Sequence, residues 1–174
     1  LVPLLRGQPE GFIRRVGGSV WGGLLLIYGL SHTVLVFSLP VTQSGPAGAA
    51  GWFLYLVLLT EMNDIAQAFF GRRFGASKKH RIAPVISPNK TWEGFLGGLF
   101  VSVTLASLLA PWLTALTTGE LSVFGITIPR TVLPPFVGLL IAVAGFFGDI
   151  SMSAVKRDVG VKDSSAILPG MGGI

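Results

Sequence analysis

The run Val132-Leu133-Pro134-Pro135-Phe136-Val137-Gly138-Leu139-Leu140-Ile141-Ala142-Val143-Ala144-Gly145-Phe146-Phe147-Gly148 carries no charge until it reaches Asp149. It is long enough for a hydrocarbon core of about 30 Å, which takes roughly 20 residues as helix. An ionisable group closing such a run is costly unless it has a task, so Asp149 marks a functional site. Beyond it come Ser153, Lys156, Arg157, Lys162 and Asp163, then Pro169-Gly170-Met171-Gly172-Gly173.

The whole chain fits a bilayer. Its 174 residues are 51% hydrophobic and 12% charged, with mean hydropathy +0.70, against roughly 25% charged in a soluble domain. Having no cysteine, it can form no disulfide framework or thiolate metal centre. Periodicity and length give an all-α, polytopic integral-membrane helical bundle with four expected spans, about 18–39, 50–70, 94–116 and 132–151. Residues 1–174 form one membrane domain. The start at Leu1, without a charged n-region and cleavage site, is expected of an internal piece of a longer chain.

Charge orients the spans. Arg6, Arg14 and Arg15 precede the first. Arg72, Arg73, Lys78, Lys79, Arg81 and Lys90 follow the second, and Lys156, Arg157 and Lys162 follow the fourth. Only Arg130 lies on the other side, so the basic loops are expected to be cytoplasmic in a multi-pass protein of the cell (inner) membrane. The net charge of +5 is explained by that rule and by anionic headgroups, and nucleic acid is not expected as a partner. Gly17-Gly18, Gly22-Gly23 and Gly97-Gly98 suit close helix approach. His32, the one titratable group of the first span, reads as a packed or interfacial residue rather than a ligand.

Two further segments carry polar chemistry. Glu61 and Asp64 lie at i, i+3 in the second span and share a face, with Asn63 turned toward a neighbouring helix. Each charge at mid-bilayer costs about 2.5–3.5 kcal/mol. The carboxylates therefore either line a polar cavity, binding a cation or orienting basic groups, or form a packing salt bridge. In Ser87-Pro88-Asn89-Lys90-Thr91-Trp92-Glu93-Gly94, Asn89 or Thr91 is placed to cap the third span and Glu93 to face its positive end. Lys90 adds positive charge there, which suits an anion such as phosphate. Trp92 reads as an interfacial anchor. Past Asp149, a carboxylate, the Ser153 hydroxyl one turn on and several cations suit a Mg²⁺-bridged polyphosphate. The glycines near the end are suited to offer backbone N–H groups to phosphate oxygens.

Ser153-x-x-Lys156-Arg157-x-x-x-x-Lys162-Asp163 followed by Pro169-x-x-Gly172-Gly173 resembles the signature of the phosphatidate cytidylyltransferase (CDP-diacylglycerol synthase) family. Asn63-Asp64, Phe70-Gly71-Arg72 and Ser87–Gly94 match it in the expected order, so the resemblance covers residues 61–174. It implies an enzyme that condenses CTP with phosphatidic acid to CDP-diacylglycerol and pyrophosphate. The implied catalytic residues are Asp149, Ser153, Lys156, Arg157, Lys162 and Asp163. The implied substrate-binding residues are Asn63, Asp64, Ser87, Asn89, Lys90, Gly172 and Gly173. Asp149 and Asp64 are the expected ligands of Mg²⁺, with room for a second cation. Expected partners are CTP, phosphatidic acid and the lipid bilayer, with a homodimer as a further candidate. Met171 departs from the family's histidine at that place, and a thioether can neither transfer a proton nor donate a hydrogen bond. In the family the signature continues into an Asp-Arg-x-x-Asp block, which is expected after the position of Ile174. Competing readings are a catalytically impaired paralogue, a related membrane lipid kinase and an ion-coupled transporter.

Overall fold

The computed structural model describes residues 12–38, 45–75, 80–123, 126–158 and 160. Four helices dominate: α1 (Phe12–Val36), α2 (Gly48–Phe74), α3 (Trp92–Leu113) and α4 (Leu133–Asp158). Two antiparallel hairpins join them, β1 (Arg81–Ala83) with β2 (Ser87–Thr91), and β3 (Glu120–Val123) with β4 (Ile126–Pro129). A short 3₁₀ turn, Arg130–Val132, leads into α4. The protein is an all-α polytopic membrane protein. Among the described residues, α2, α3 and α4 are each long and apolar enough to span a bilayer. In α1 the apolar stretch is Val20–Val36.

Several expected boundaries shift. α2, with 27 residues, runs on to Phe74, about 40 Å at a rise of 1.5 Å per residue, so it carries Arg72 and Arg73 past the hydrocarbon. α4 continues to Asp158, which puts Asp149, Ser153, Lys156 and Arg157 on one uninterrupted helix. The chain does not leave the helix at Asp149 because no breaker follows it before Gly160. The segments expected as loops before α3 and α4 both contain hairpins. In the second, alternating Leu121-Ser122-Val123 and Ile126-Thr127-Ile128 suit strands.

α3 is the central helix of the bundle. Its contact with α2 is tight because Gly98 has no side chain: a Cβ there would lie 2.5 Å from Gln67 Cγ and 2.8 Å from Asn63 Oδ1. Farther along, Tyr55, Leu59, Ala106 and Ala110 form the buried apolar core, and the Tyr55 hydroxyl donates to the Ala106 carbonyl at 3.1 Å. On the other side α3 meets α4 through Phe95 and Phe146, whose ring centroids are 4.6 Å apart. Phe100, Leu108, Trp112, Phe136 and Phe147 are exposed, as lipid-facing side chains should be.

The expected close packing at glycine is found on α3. On α1, a Cβ at Gly17, Gly18, Gly22 or Gly23 would meet nothing within 4 Å among the described residues. His32 lies against its own helix, with Nδ1 2.8 Å from the Tyr28 carbonyl.

Candidate active site

The site forms where β2 runs into α3 beside the end of α2. Thr91 is extended and caps α3, its hydroxyl oxygen accepting from the Gly94 N–H at 3.2 Å. Capping by Thr satisfies a donor the helix cannot pair internally. The cap sits directly on α2, since a Cβ at Gly75 would lie 2.4 Å from Thr91 Oγ1. That contact fixes the residue before the cap, Lys90, over the face of α2 that carries Asp64 and Gln67.

Lys90 is held from two helices. Its ammonium donates to Gln67 Oε1 of α2 at 3.0 Å and forms an ion pair with Asp149 of α4. The Phe146 ring lies 6.0 Å below it. Asp64 lies within electrostatic reach of Lys90, Asp149 and Glu61. An open pocket of about 370 Å³ lies here, lined among others by Asp64, Gln67, Arg72, Arg81, Asn89 and Lys90. Three cations against one carboxylate on its wall suit an anionic ligand with several charges. On the rim, His80 pairs with Glu93, which ties the turn before β1 to the first turn of α3.

The expected site residues fall into distinct groups. Asp64, Asn89 and Lys90 line the pocket, and Asp149 joins them through Lys90. Asn63 is placed differently. It is 1% exposed between helices, and its Oδ1 accepts from the Ser102 hydroxyl at 3.2 Å. Its position is one of helix packing rather than of the open pocket. Ser87 is half-buried in β2 and does not line the pocket. Ser153 and Lys156 are half-buried and Arg157 is exposed, on the turns of α4 beyond Asp149. Lys162, Asp163, Met171, Gly172 and Gly173 lie outside the described residues.

Sequence reasoning passed over Gln67, Arg72 and Arg81 as pocket residues. Gln67 was open to detection: it stands three residues after Asp64 in an apolar helix, which sets both on one face. It is 5% exposed, and its Nε2 has no hydrogen-bond partner among the described residues. Arg81 owes its place to the β1–β2 pairing, where it stands opposite Thr91. Such a register is hard to read from a strand of three residues.

The donor chemistry of the site suits a hard divalent cation. Asp64 and Asp149 bring carboxylate oxygens from two helices to the surroundings of Lys90. Among the described residues no cluster of three or more acidic, histidine or cysteine side chains forms. An all-protein cage is therefore not available from them, and a cation held by two carboxylates together with substrate phosphates and water, the habit of Mg²⁺, fits what is present.

Comparison with known proteins gives the chain's family. Residues 4–174 match the model of the cytidylyltransferase family. The chain is 39% identical over 171 residues to the uncharacterized protein YnbB of Escherichia coli (strain K12), covering 98% of the chain and 51% of that protein. It is 36% identical over 151 residues to the phosphatidate cytidylyltransferase of Chlamydia trachomatis, covering 87% and 43%. It is 38% identical over 123 residues to that of Staphylococcus aureus (strain COL), covering 71% and 42%. The chain thus spans about half the length, or less, of these relatives. With its pocket of cations at the helix ends and a match along nearly its whole length, the chain belongs to the cytidylyltransferase family.

Proposed function

We propose that this chain is the catalytic part of a membrane enzyme that transfers the cytidylyl group of CTP to phosphatidic acid, releasing CDP-diacylglycerol and pyrophosphate. The observation that carries the reading is the Lys90 ammonium, held between Gln67 and Asp149 on the wall of a pocket that also bears Arg72 and Arg81. Two of the relatives are phosphatidate cytidylyltransferases by name, which supports the choice of reaction.

In this reaction a phosphate oxygen of the lipid attacks the α-phosphorus of CTP. The bond from the α-phosphorus to the bridging oxygen breaks, and pyrophosphate leaves with that electron pair. The nucleophile is already anionic, so the protein has little proton transfer to perform and acts by positioning and charge stabilisation. Lys90 and Arg81 neutralise charge gathered on the nucleotide's phosphates, while Arg72 stands at the edge of the pocket. Fixing Lys90 by two acceptors on separate helices removes the cost of orienting it when charge develops. Asp64 and Asp149 would hold Mg²⁺, which supplies further neutralisation of the polyphosphate. Asn89 borders the same pocket. Ser153, Lys156 and Arg157 extend the polar face of α4. The site faces the cytoplasm, where CTP is available, and the basic segments keep it there.

The test is conversion of phosphatidate to a liponucleotide by the full-length protein in nanodiscs with CTP. Product that forms with Mg²⁺ and stops with a chelator supports the reading. Ion flux in liposomes without any liponucleotide would overturn it.

A further inference from the structure

Ile65, Ala68, Phe69 and Arg72 recur along α2 at i, i+3, i+4 and i+7, which sets them on one stripe of the helix. Together with Arg73 they line an open groove of about 500 Å³. Ala68 and Arg72 also line the polar pocket that holds Lys90. The groove and the pocket therefore share a wall. Along the helix the groove changes character from apolar Ile65 and Phe69, 58% and 60% exposed, to the guanidinium groups of the last turn. Arg73 is engaged, its guanidinium 5.5 Å from the Phe74 ring centroid. Arg72 makes no ion pair among the described residues and stands where the groove opens into the pocket.

We propose that this stripe is the lipid-phosphate subsite. The acyl chains of a lipid with a phosphate-monoester headgroup lie against Ile65, Ala68 and Phe69, and Arg72 takes the phosphate at the mouth of the pocket. Charge complementarity selects this occupant. A planar guanidinium binds two phosphate oxygens at once, and a phosphate monoester offers more negative charge than the internally neutralised headgroup of a zwitterionic lipid. Continuity supplies the second argument, because a headgroup at Arg72 is already at the wall that Lys90 shares. The lipid's fate as acceptor rests on the reaction proposed above, but its binding does not. The competing occupant is protein from outside this chain, which spans about half or less of its relatives' length.

The test uses the full-length protein in nanodiscs, with the fluorescence gained from Phe69→Trp as reporter. Brominated phosphatidate is expected to quench that increment several-fold more effectively than brominated phosphatidylcholine, by charge-assisted binding. Arg72→Ala should erase the preference and Arg72→Lys should keep part of it. Equal quenching by both lipids would reduce the groove to an ordinary lipid contact. Absence of quenching by either would show that protein covers it. Both results overturn the proposal. In turnover, Arg72→Ala should raise KM for phosphatidate about tenfold and leave KM for CTP within about twofold. The reverse pattern assigns Arg72 to the nucleotide and also overturns it. Selective quenching without any liponucleotide product would sink the proposed reaction and leave the subsite standing.

Discussion

Lys90 and Asp149, 59 residues apart, form an ion pair that joins the hairpin before α3 to the second half of α4. The pair is only partly shielded, with side-chain exposures of 20% and 42%. Its main effect is therefore to place a cation rather than to stabilise the fold.

Asp149→Asn should leave the bundle folded and inserted, since it removes a charge from a membrane helix. Activity should fall by about 10²-fold or more, because the carboxylate orients Lys90 and is an expected Mg²⁺ ligand. Liponucleotide formation measured beside a size-exclusion profile in detergent separates the two effects. Full activity with an unchanged Mg²⁺ requirement would move the metal elsewhere.

Gln67→Leu removes the second acceptor on Lys90 while keeping the side chain's bulk. It also removes an amide N–H that is buried without a partner, so thermal stability should hold or rise slightly. The rate is expected to drop about tenfold. Gln67→Glu, which keeps an acceptor for Lys90, should recover part of that loss. A packing residue alone would give the opposite pattern: lost stability with an intact rate.

Asn63→Leu and Ser102→Ala test the helix contact that took Asn63 away from the pocket. Each should cost about 0.6–2 kcal/mol of stability in detergent or bicelles, the range of hydrogen bonds between membrane helices. KM for CTP should stay within about twofold for Ser102→Ala, since Ser102 is buried and does not line the pocket. A shift in KM that exceeds the loss of stability would return Asn63 to the substrate site.

Gly98→Ala forces a methyl into Gln67 and Asn63 at distances no side chain tolerates. The expected cost is about 1–3 kcal/mol from overpacking, read as a lowered midpoint of thermal unfolding. Gly22→Ala, with open space around it, should change nothing. Equal effects at the two positions would contradict the packing described for α2 and α3.

The membrane class, the helices and the polar segments were legible in the sequence because each rests on a local signal: apolar length, charge asymmetry, or an acid inside an apolar run. Asp64, Lys90 and Asp149 were legible for that reason. The ends of α2 and α4 were not, since hydropathy falls where Arg72 or Lys156 begins but a helix needs a breaker to stop. Thr91 was one of two candidate caps, and only the fold shows that it, rather than Asn89, accepts from Gly94. Gln67 and Arg72 were passed over as site residues because their roles depend on which face of α2 meets the hairpin. That face is chosen by the fit of Gly98 against α2 and of Gly75 against Thr91. Asn63 faces a neighbouring helix as its spacing from Asp64 predicts, and its partner there is Ser102.

The central claim is that Lys90, fixed by Gln67 and Asp149, handles the phosphates of CTP as its cytidylyl group passes to a lipid phosphate. The most direct measurement is transfer of label from CTP carrying a radioactive α-phosphate into lipid, by the full-length protein in phosphatidate nanodiscs, compared with Lys90→Met. Labelled liponucleotide is expected from the wild type, with a fall of about 10²-fold or more in the variant and folding retained. Label transfer by Lys90→Met at the wild-type rate, or a well-folded wild type that transfers none, would contradict it.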